Sequence, residues 1–267
     1  MFKNILKKTR KRLFTACLCC LSAGVFCAPE SRAYVLPPEQ LVEFMAVNFN
    51  CFDTLIINQI TQQENAGGDE IGEDRVFREK ISMQASGNYH LEILEQTTEK
   101  LEGADHLFRQ FLLNTPKEKL LALLPKLGID LQQMEYTRLD GVVVYRIGNK
   151  DENSPKLVIE KKRFLPLYLV YRQPGDPQAR LVRVRFKDYR SVKDKWYPYD
   201  ITYVLEDRLT ERYMIQGLEN NVPIDAALFK TPKTVTPLQT TTPIKKLSPE
   251  EKEKLKKIIA AFEKKYE

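Results

Sequence analysis

Large apolar and aromatic residues alternate with charged or small residues through most of the region 156–229. A period of two predicts antiparallel β-strands with one buried face and one solvated face. Turn-rich connections such as QPGDPQ and SVKDK divide the region into four predicted strands. Their segments are LVIEKKRFLPLYLVYR, ARLVRVRFKDYR, WYPYDITYVLED and RLTERYMIQGLE. We expect this sheet to be the centre of the protein, and its apolar face to decide the function.

The same pattern predicts further strands before the centre, at residues 54–63, 75–84 and 89–96. Asp140-Gly141 between two alternating runs is a strong signal for a two-residue hairpin turn. Residues 100–114 contain HLFRQFLL, which fits a strand and a helix equally well, and both alternatives stay open.

Two short helices are predicted outside the strands. Residues 36–50 carry an apolar face at helical spacing after two prolines, which suit a helix start. Residues 115–128 begin with Thr115 as N-cap and end at Gly128. The leucines between them cover most of the helix circumference, which predicts deep burial.

The first 33 residues have the pattern of a secretory signal peptide. Basic residues are followed by the apolar run 13–28 and by Ser31-Arg32-Ala33, a small-x-small cleavage pattern. We predict cleavage after Ala33, because cleavage after Ala28 would place Pro29 at the new N-terminus. The apolar run is short for a membrane span, which favours a signal peptide. A retained membrane anchor is the alternative.

Cleavage would change the charge of the protein. Residues 1–33 contain seven basic residues and one acidic residue of the 42 and 36 in the full chain, so the formal charge of +6 becomes zero. No basic field remains to favour nucleic acid. Only Cys51 remains of the five cysteines, so an internal disulfide is excluded.

The chain ends in a Thr- and Pro-rich stretch and an amphipathic helix. The predicted domains are the signal peptide 1–33, a globular domain 34–232, a linker 233–247 and a terminal helix 248–267. The helix has a narrow apolar stripe among lysines and glutamates. It is predicted to dock on its own domain or on a partner, with a membrane-surface role as the alternative.

Residues for catalysis or metal binding are scarce. His90 and His106 lie in different elements and are predicted to be surface or edge residues. The familiar nucleophile, phosphate-loop, zinc and dinucleotide motifs do not occur. Carboxylates are predicted on the solvated strand faces. The sequence therefore predicts no enzyme, no cofactor and no metal site.

Motifs in the centre of the chain resemble those of the LolA-like lipoprotein carriers. The matching motifs are Phe164-Leu165-Pro166, Phe186-x-Asp188-Tyr189, Pro198-x-x-Ile201 and a closing loop with Asn221, Ile224-Asp225, Leu228-Phe229 and Pro232. The resemblance covers residues 36–232. Members of that family tend to have a basic residue and a proline on an early strand, and here Arg78 is present without the proline.

The resemblance implies a mainly β fold of α+β type, namely an unclosed antiparallel β-barrel, or half-barrel, wrapped over plug helices, with an extra C-terminal helix. It also implies a periplasmic monomer that binds the acyl chains of lipoproteins or another lipid in an apolar cavity. Membrane-bound donor and acceptor proteins would be its partners, and nucleic acid would not.

Thirteen residues on the predicted apolar faces are candidates for lipid binding. They are Phe44, Leu120, Leu124, Leu167, Leu169, Tyr171, Val182, Val184, Phe186, Tyr199, Ile201, Tyr203 and Leu205. Alternation cannot distinguish a hollow barrel from a filled core, so both remain open. The alternative function is an envelope sensor or scaffold that binds a protein partner, and a lipid-modifying enzyme is a third.

Overall fold

The computed structural model describes residues 36–65, 75–96, 104–175, 180–206 and 209–229, with Glu250, Glu253, Lys254 and Lys257. The predicted signal peptide and linker lie outside these residues. The four described positions in the predicted terminal helix are helical. The described strands and helices belong to one compact unit.

Ten strands form one sheet in which each strand pairs antiparallel with its neighbours. The strands are β1 (Thr54–Asn65), β2 (Arg75–Gln84), β3 (Tyr89–Gln96), β4 (Met134–Leu139), β5 (Val142–Gly148), β6 (Lys156–Glu160), β7 (Pro166–Arg172), β8 (Leu181–Val192), β9 (Lys195–Leu205) and β10 (Leu209–Asn220).

The sheet is open. Its strand order is β3-β2-β1-β10-β9-β8-β7-β6-β5-β4, so β3 and β4 are the two edges. The long β1 and β10 pair along most of their length and join the first strands to the last. The predicted mainly β fold with an unclosed antiparallel sheet is confirmed.

The first predicted strand of the centre is wrong in one respect. The segment 156–172 forms two strands, β6 and β7, because the chain reverses at residues 161–165. Phe164 has a φ of 55° there, and its backbone N–H donates to the Glu160 carbonyl. The centre therefore has five strands and not four. Glycine would adopt this φ more readily, so the sequence carries no strong turn signal.

The hairpin predicted at Asp140-Gly141 is confirmed. Both residues have positive φ, 48° and 79°, as a two-residue turn between twisted strands requires.

Four short helical segments accompany the sheet: α1 (Pro38–Val47), the plug helix (Leu107–Leu112, a 3-10 helix), α2 (Lys117–Lys126) and a second 3-10 helix (Ala226–Phe229). α1 buries Leu41, Val42 and Met45. Within the described residues, no helix is both long and apolar enough to span a bilayer.

The deep burial predicted for all the leucines of α2 is wrong for two of them. Leu120, Leu124 and the following Leu127 are buried, whereas Leu121 and Leu123 are half-buried. The helix has only ten residues and rests on one side. The sheet therefore covers less of its circumference than the composition predicted.

Candidate functional site

The pairing of β7, β8 and β9 brings eight of the thirteen candidate residues onto one face of the sheet, which we call the inner face. Val182 lies between Tyr171 and Leu205, and Val184 between Leu169 and Tyr203. Phe186 pairs with Ile201. Each of the eight side chains is at most 8% exposed. The inner face is thus a continuous apolar surface across three strands.

The opposite face of the same strands is polar. Arg183 and Arg185 are part-exposed and Lys187 is exposed. Arg185 pairs with Asp140 at 2.9 Å, and its guanidinium lies 5.0 Å from the ring centre of Tyr168. The alternation along β8 therefore predicted correctly which side faces solvent.

The plug helix lies on the inner face. The ring centre of Phe108 is 6.1 Å from those of Phe186 and Tyr203 and 6.0 Å from that of Tyr213. Phe111 of the same helix is also buried. Since the described helix is six residues long, few side chains supply this apolar contact.

A side-chain hydrogen bond between half-buried Asp105 and buried Tyr171 joins the start of the plug helix to β7. The Tyr171 hydroxyl donates to Asp105 Oδ1 at 2.6 Å, and the same oxygen accepts from the Leu107 N–H at 3.0 Å. Burial raises the pKa of Asp105 above its ordinary value, and burial also raises the pKa of Tyr171. Both shifts favour the neutral forms of the pair.

Arg109 is a buried cation on the plug helix. It is 2% exposed, and no carboxylate among the described residues lies within ion-pair distance of it. Its Nη2 donates to Gln59 Oε1 at 3.1 Å and its Nε to His106 Nδ1 at 3.4 Å. The guanidinium also lies 5.0 Å from the ring centre of Tyr213. Hydrogen bonds and aromatic rings therefore stabilise the charge in place of a counter-ion.

Two buried carboxylates continue this polar network. Glu79 accepts hydrogen bonds from the side chains of Gln59 and Thr61. Glu211 accepts from Gln63 Nε2 at 3.0 Å and from the Ala104 N–H at 3.2 Å. Both carboxylates are fully buried, so their predicted place on a solvated face is wrong.

The positions of Glu79 and Glu211 along their strands explain why both carboxylates are buried. Glu79 has the same parity as Phe77 and Ile81 on β2, and Glu211 the same as Leu209 and Tyr213 on β10. Side chains two residues apart share a face of a strand, so these carboxylates point to the apolar side. Neighbouring amides, hydroxyls and N–H groups donate hydrogen bonds to them there, as buried polar groups require.

The surface or edge position predicted for His106 is also wrong. His106 is 7% exposed and has a φ of 55° immediately before the plug helix. Its ring centre lies 5.2 Å from that of Tyr89 on the edge strand β3 and 6.0 Å from that of Tyr213. His90 lies on β3 and is half-buried.

The remaining five candidates lie elsewhere. Leu120 and Leu124 are buried in α2, and Leu167 is half-buried at the start of β7. Phe44 on α1 is 41% exposed and packs on Phe164, with 4.8 Å between ring centres. Tyr199 is half-buried beneath the Arg190 guanidinium at 4.4 Å. Their role in lipid binding stays a prediction.

The described pockets do not include the thirteen candidates. A cavity of about 40 Å³ lies between the β2–β3 turn and the plug helix, and Asp105, His106 and Arg109 contribute to its lining. A wider surface depression of about 530 Å³ is lined by the polar segments 132–135 and 146–151.

Sequence reasoning missed the plug helix and its buried arginine. The segment 100–114 had no assigned period, and Arg109 inside the apolar run FRQFLL was the signal that could have marked it. A buried arginine among phenylalanines and leucines needs hydrogen-bond acceptors inside the protein. The acceptor it finds, Gln59, is 50 positions away along the chain.

A scan against protein-family models finds no match for this chain, and no curated protein matches it. Solved structures do. A domain assigned to outer membrane lipoprotein sorting from Vibrio parahaemolyticus is 11% identical, with a TM-score of 0.42 over 72% of this chain and 95% of that one. A DUF1329 family protein from Desulfovibrio piger is 15% identical, with a TM-score of 0.40 over 72% of this chain and 95% of the other.

A LolA superfamily protein from Nitrosomonas europaea is also similar to this chain. It is 12% identical, with a TM-score of 0.41 over 73% of this chain and 98% of that one. The motifs of residues 36–232 resemble the same family.

Proposed function

We propose that this protein is an exported, periplasmic carrier that binds acyl chains against the inner face of its open sheet. The acyl chains would belong to lipoproteins or to another lipid, which the carrier would transfer towards the outer membrane. It would receive them from a membrane-bound donor, deliver them to a membrane-bound acceptor and act as a monomer. The proposal includes no chemical step and no cofactor.

The main support for the proposal is that the short plug helix covers part of the inner face. Eight apolar side chains from β7, β8 and β9 form one surface, and the plug helix packs Phe108 directly on it. A short helix can leave such a surface more easily than a second sheet could. The inner face is therefore available to an apolar ligand if the plug helix moves.

The energetic reason for such a carrier is the hydrophobic effect. Burial of each methylene group is worth about 0.8 kcal/mol, so long acyl chains strongly favour an apolar wall over water. The side chain of Phe108 occupies that wall in this structure. We infer that an acyl chain and the plug helix compete for it, which makes binding reversible.

The polar network holds the plug helix in one position on the sheet. Arg109 is fixed by Gln59 of β1, and Asp105 by Tyr171 of β7. These bonds join the first turn of the plug helix and the residue before His106 to strands on different parts of the sheet. Buried polar groups without partners are unfavourable, so the closed arrangement is favoured when no ligand is present.

The experiment that tests the proposal measures uptake of a fluorescent long-chain acyl probe by residues 34–267. We expect saturable binding that protects the probe from an aqueous quencher, and weaker binding by Val184→Trp, which fills the inner face. Thr202→Trp is the matched control, because Thr202 is part-exposed on the opposite face, paired with Arg185. Circular dichroism verifies that both variants fold.

The alternative function, a sensor or scaffold for a protein partner, predicts a different result. Such a protein would not protect the probe, and lipid extraction after purification from native membranes would release no acyl chains. Either finding with a folded protein would overturn the carrier proposal.

A further inference from the structure

Three exposed large hydrophobic side chains lie in one surface region. Phe44 and Val47 of α1 and Tyr136 of β4 are 41%, 50% and 38% exposed. Within the part of the chain that the structure describes, the other large hydrophobics exposed to this degree are Leu94, Val142 and Leu228. Clustered exposure of this kind marks an interaction surface more often than scattered exposure does.

Direct contacts connect these residues. The Phe44 ring packs on Phe164, whose ring is parallel to that of Tyr145 at 6.3 Å between centres. Tyr145 in turn lies 5.4 Å from Tyr136. The backbone N–H of Lys161 donates to the Val143 carbonyl, which joins the β6–β7 turn to β5. An aromatic row thus runs from α1 across the β6–β7 turn to β4 and β5.

Basic residues accompany the aromatic row. The Lys161 ammonium lies 4.7 Å from the ring centre of Tyr136, and the Arg163 guanidinium 4.8 Å from that of Trp196. Lys195 Nζ donates to the Val47 carbonyl at 3.0 Å. We define the aromatic-basic surface as Phe44, Val47, Tyr136, Phe164 and Trp196 with the basic residues Lys161, Lys162, Arg163, Lys193 and Lys195.

The charge of this surface is positive. Lys161, Lys162, Lys193 and Lys195 form no ion pair with any carboxylate among the described residues. Arg163 neutralises Glu160 at 2.8 Å. Asp194, in the β8–β9 turn, is the acidic residue between two of these lysines. The surface therefore carries an excess of lysines, although the predicted mature chain is neutral overall.

We propose that the aromatic-basic surface docks this protein on an anionic membrane. Tryptophan and tyrosine favour the headgroup region of a bilayer, and lysine is attracted to anionic lipids. Exposed Phe44 and Val47 supply the apolar contact that an acidic protein surface would not require. Tyr136 and Tyr145 lie on the same face of the sheet as Leu169, so this surface adjoins the inner face at its β4–β5 end. The docking inference rests on the lysines and on α1, and vesicle binding tests it without the acyl probe.

The experiment measures binding of residues 34–267 to vesicles of phosphatidylcholine alone and of phosphatidylcholine mixed with phosphatidylglycerol. Trp196 is the single tryptophan of the chain, so its fluorescence reports on this surface without labelling. We expect binding to the anionic vesicles only, with a blue shift of Trp196 emission and quenching by brominated lipids. Salt should weaken the binding.

Charge reversal tests the basic part of the surface. The double variant Lys161→Glu, Lys162→Glu should bind anionic vesicles more than about tenfold more weakly, because each lysine near such a membrane contributes on the order of 1 kcal/mol. The control Lys126→Glu, Lys150→Glu makes the same change in net charge at exposed positions elsewhere and should bind like the unmodified chain.

Polar substitution tests the apolar part. Phe44→Ser, Val47→Ser should reduce the Trp196 blue shift and weaken binding, whereas Leu94→Ser, Leu228→Ser, at matched exposure, should change neither.

Several results would overturn the docking proposal. These are no binding to anionic vesicles, equal binding to neutral ones, or equal losses in the control pairs. Loss of binding in Ile259→Ser, Phe262→Ser with no loss in Lys161→Glu, Lys162→Glu would assign the membrane contact to the terminal segment instead. Uptake of the acyl probe without vesicles should be unchanged in Lys161→Glu, Lys162→Glu, so failure of docking and failure of the carrier function are distinguishable.

Discussion

The ring of Phe108 on the plug helix lies 6.1 Å from the ring of Tyr203 on β9, at an angle of 43° between the two planes. This contact closes the inner face in the structure, and it joins a helix that the sequence left unassigned to a strand that it assigned correctly. In the carrier proposal the same contact is the one that a ligand replaces.

Phe108→Ala should separate the stability of the plug from ligand binding. Loss of this buried ring should lower the free energy of unfolding by about 3–5 kcal/mol, as other Phe→Ala changes in cores do. The space that it leaves is apolar, so affinity for the acyl probe should rise. Urea denaturation and probe titration measure the two effects. Leu228→Ala, at an exposed position, is the control.

A rise in affinity is the informative part of this experiment. If Phe108→Ala remains folded and binds the probe more weakly than the unmodified chain, the plug helix does not compete with the ligand. It would then form part of the binding site itself.

Arg109→Met should destabilise the fold through its partners as much as through its own charge. Gln59 loses the donor to its Oε1 and remains buried, and a hydrogen bond to a charged group contributes about 1.5–3 kcal/mol. We expect a loss of this size in urea denaturation. Arg78→Met removes an arginine from an exposed ion pair with Glu95 and should change the stability by less than about 1 kcal/mol.

The contacts of Arg109 could not be predicted from the sequence. Alternation identified the inner face of β7, β8 and β9, because each strand repeats the same period. It could not identify Gln59 of β1 as the partner of Arg109, since that contact depends on how distant parts of the chain meet. The segment HLFRQFLL had too few residues to show either period.

The sequence predicted one strand too few in the region 156–229, for a different reason. The chain turns at Phe164 with a positive φ, which a phenylalanine rarely adopts. No glycine or asparagine marks the reversal, and LVIEKKRFLPLYLVYR therefore read as one strand. At Asp140-Gly141 the usual turn residues are present, and the hairpin was predicted correctly.

Asp105→Asn should change how stability depends on pH. Burial raises the carboxyl pKa in the folded state above the ordinary value of 3.8, so the folded chain holds this proton more tightly than the unfolded chain. That contribution to stability is complete below pH 3.8 and is lost as the pH rises through the higher folded-state pKa. Asn keeps an acceptor for Tyr171 and cannot ionise.

The stability of Asp105→Asn relative to the unmodified chain should therefore be greater at pH 7 than at pH 4, as measured by urea denaturation at both values. Asp194→Asn, in an exposed turn, is the control for the loss of one carboxylate and should show no such difference. A constant offset between Asp105→Asn and the unmodified chain at all pH values would contradict the raised pKa.

Gly148→Ala should be far more damaging than Gly141→Ala. Both glycines have positive φ, 103° and 79°. A Cβ at Gly148 would lie 2.5 Å from the Pro155 carbonyl oxygen and 2.9 Å from Lys156 Cα, whereas one at Gly141 meets nothing within 4 Å. We expect a loss of about 1 kcal/mol at Gly141 and more than about 2 kcal/mol at Gly148. Thermal unfolding of the two variants compares them, and equal losses would show that backbone contact at Gly148 is relieved easily.

In the carrier proposal acyl chains bind against the inner face, and photo-crosslinking locates the bound chain. A fatty acid with a diazirine in its chain is irradiated with residues 34–267, and mass spectrometry maps the adducts. We expect adducts on the β8 and β9 peptides at Val182, Val184, Phe186 or Tyr203, and we expect them to be lost when excess unlabelled fatty acid is present. Adducts confined to the opposite face, or adducts that excess fatty acid does not reduce, would contradict it.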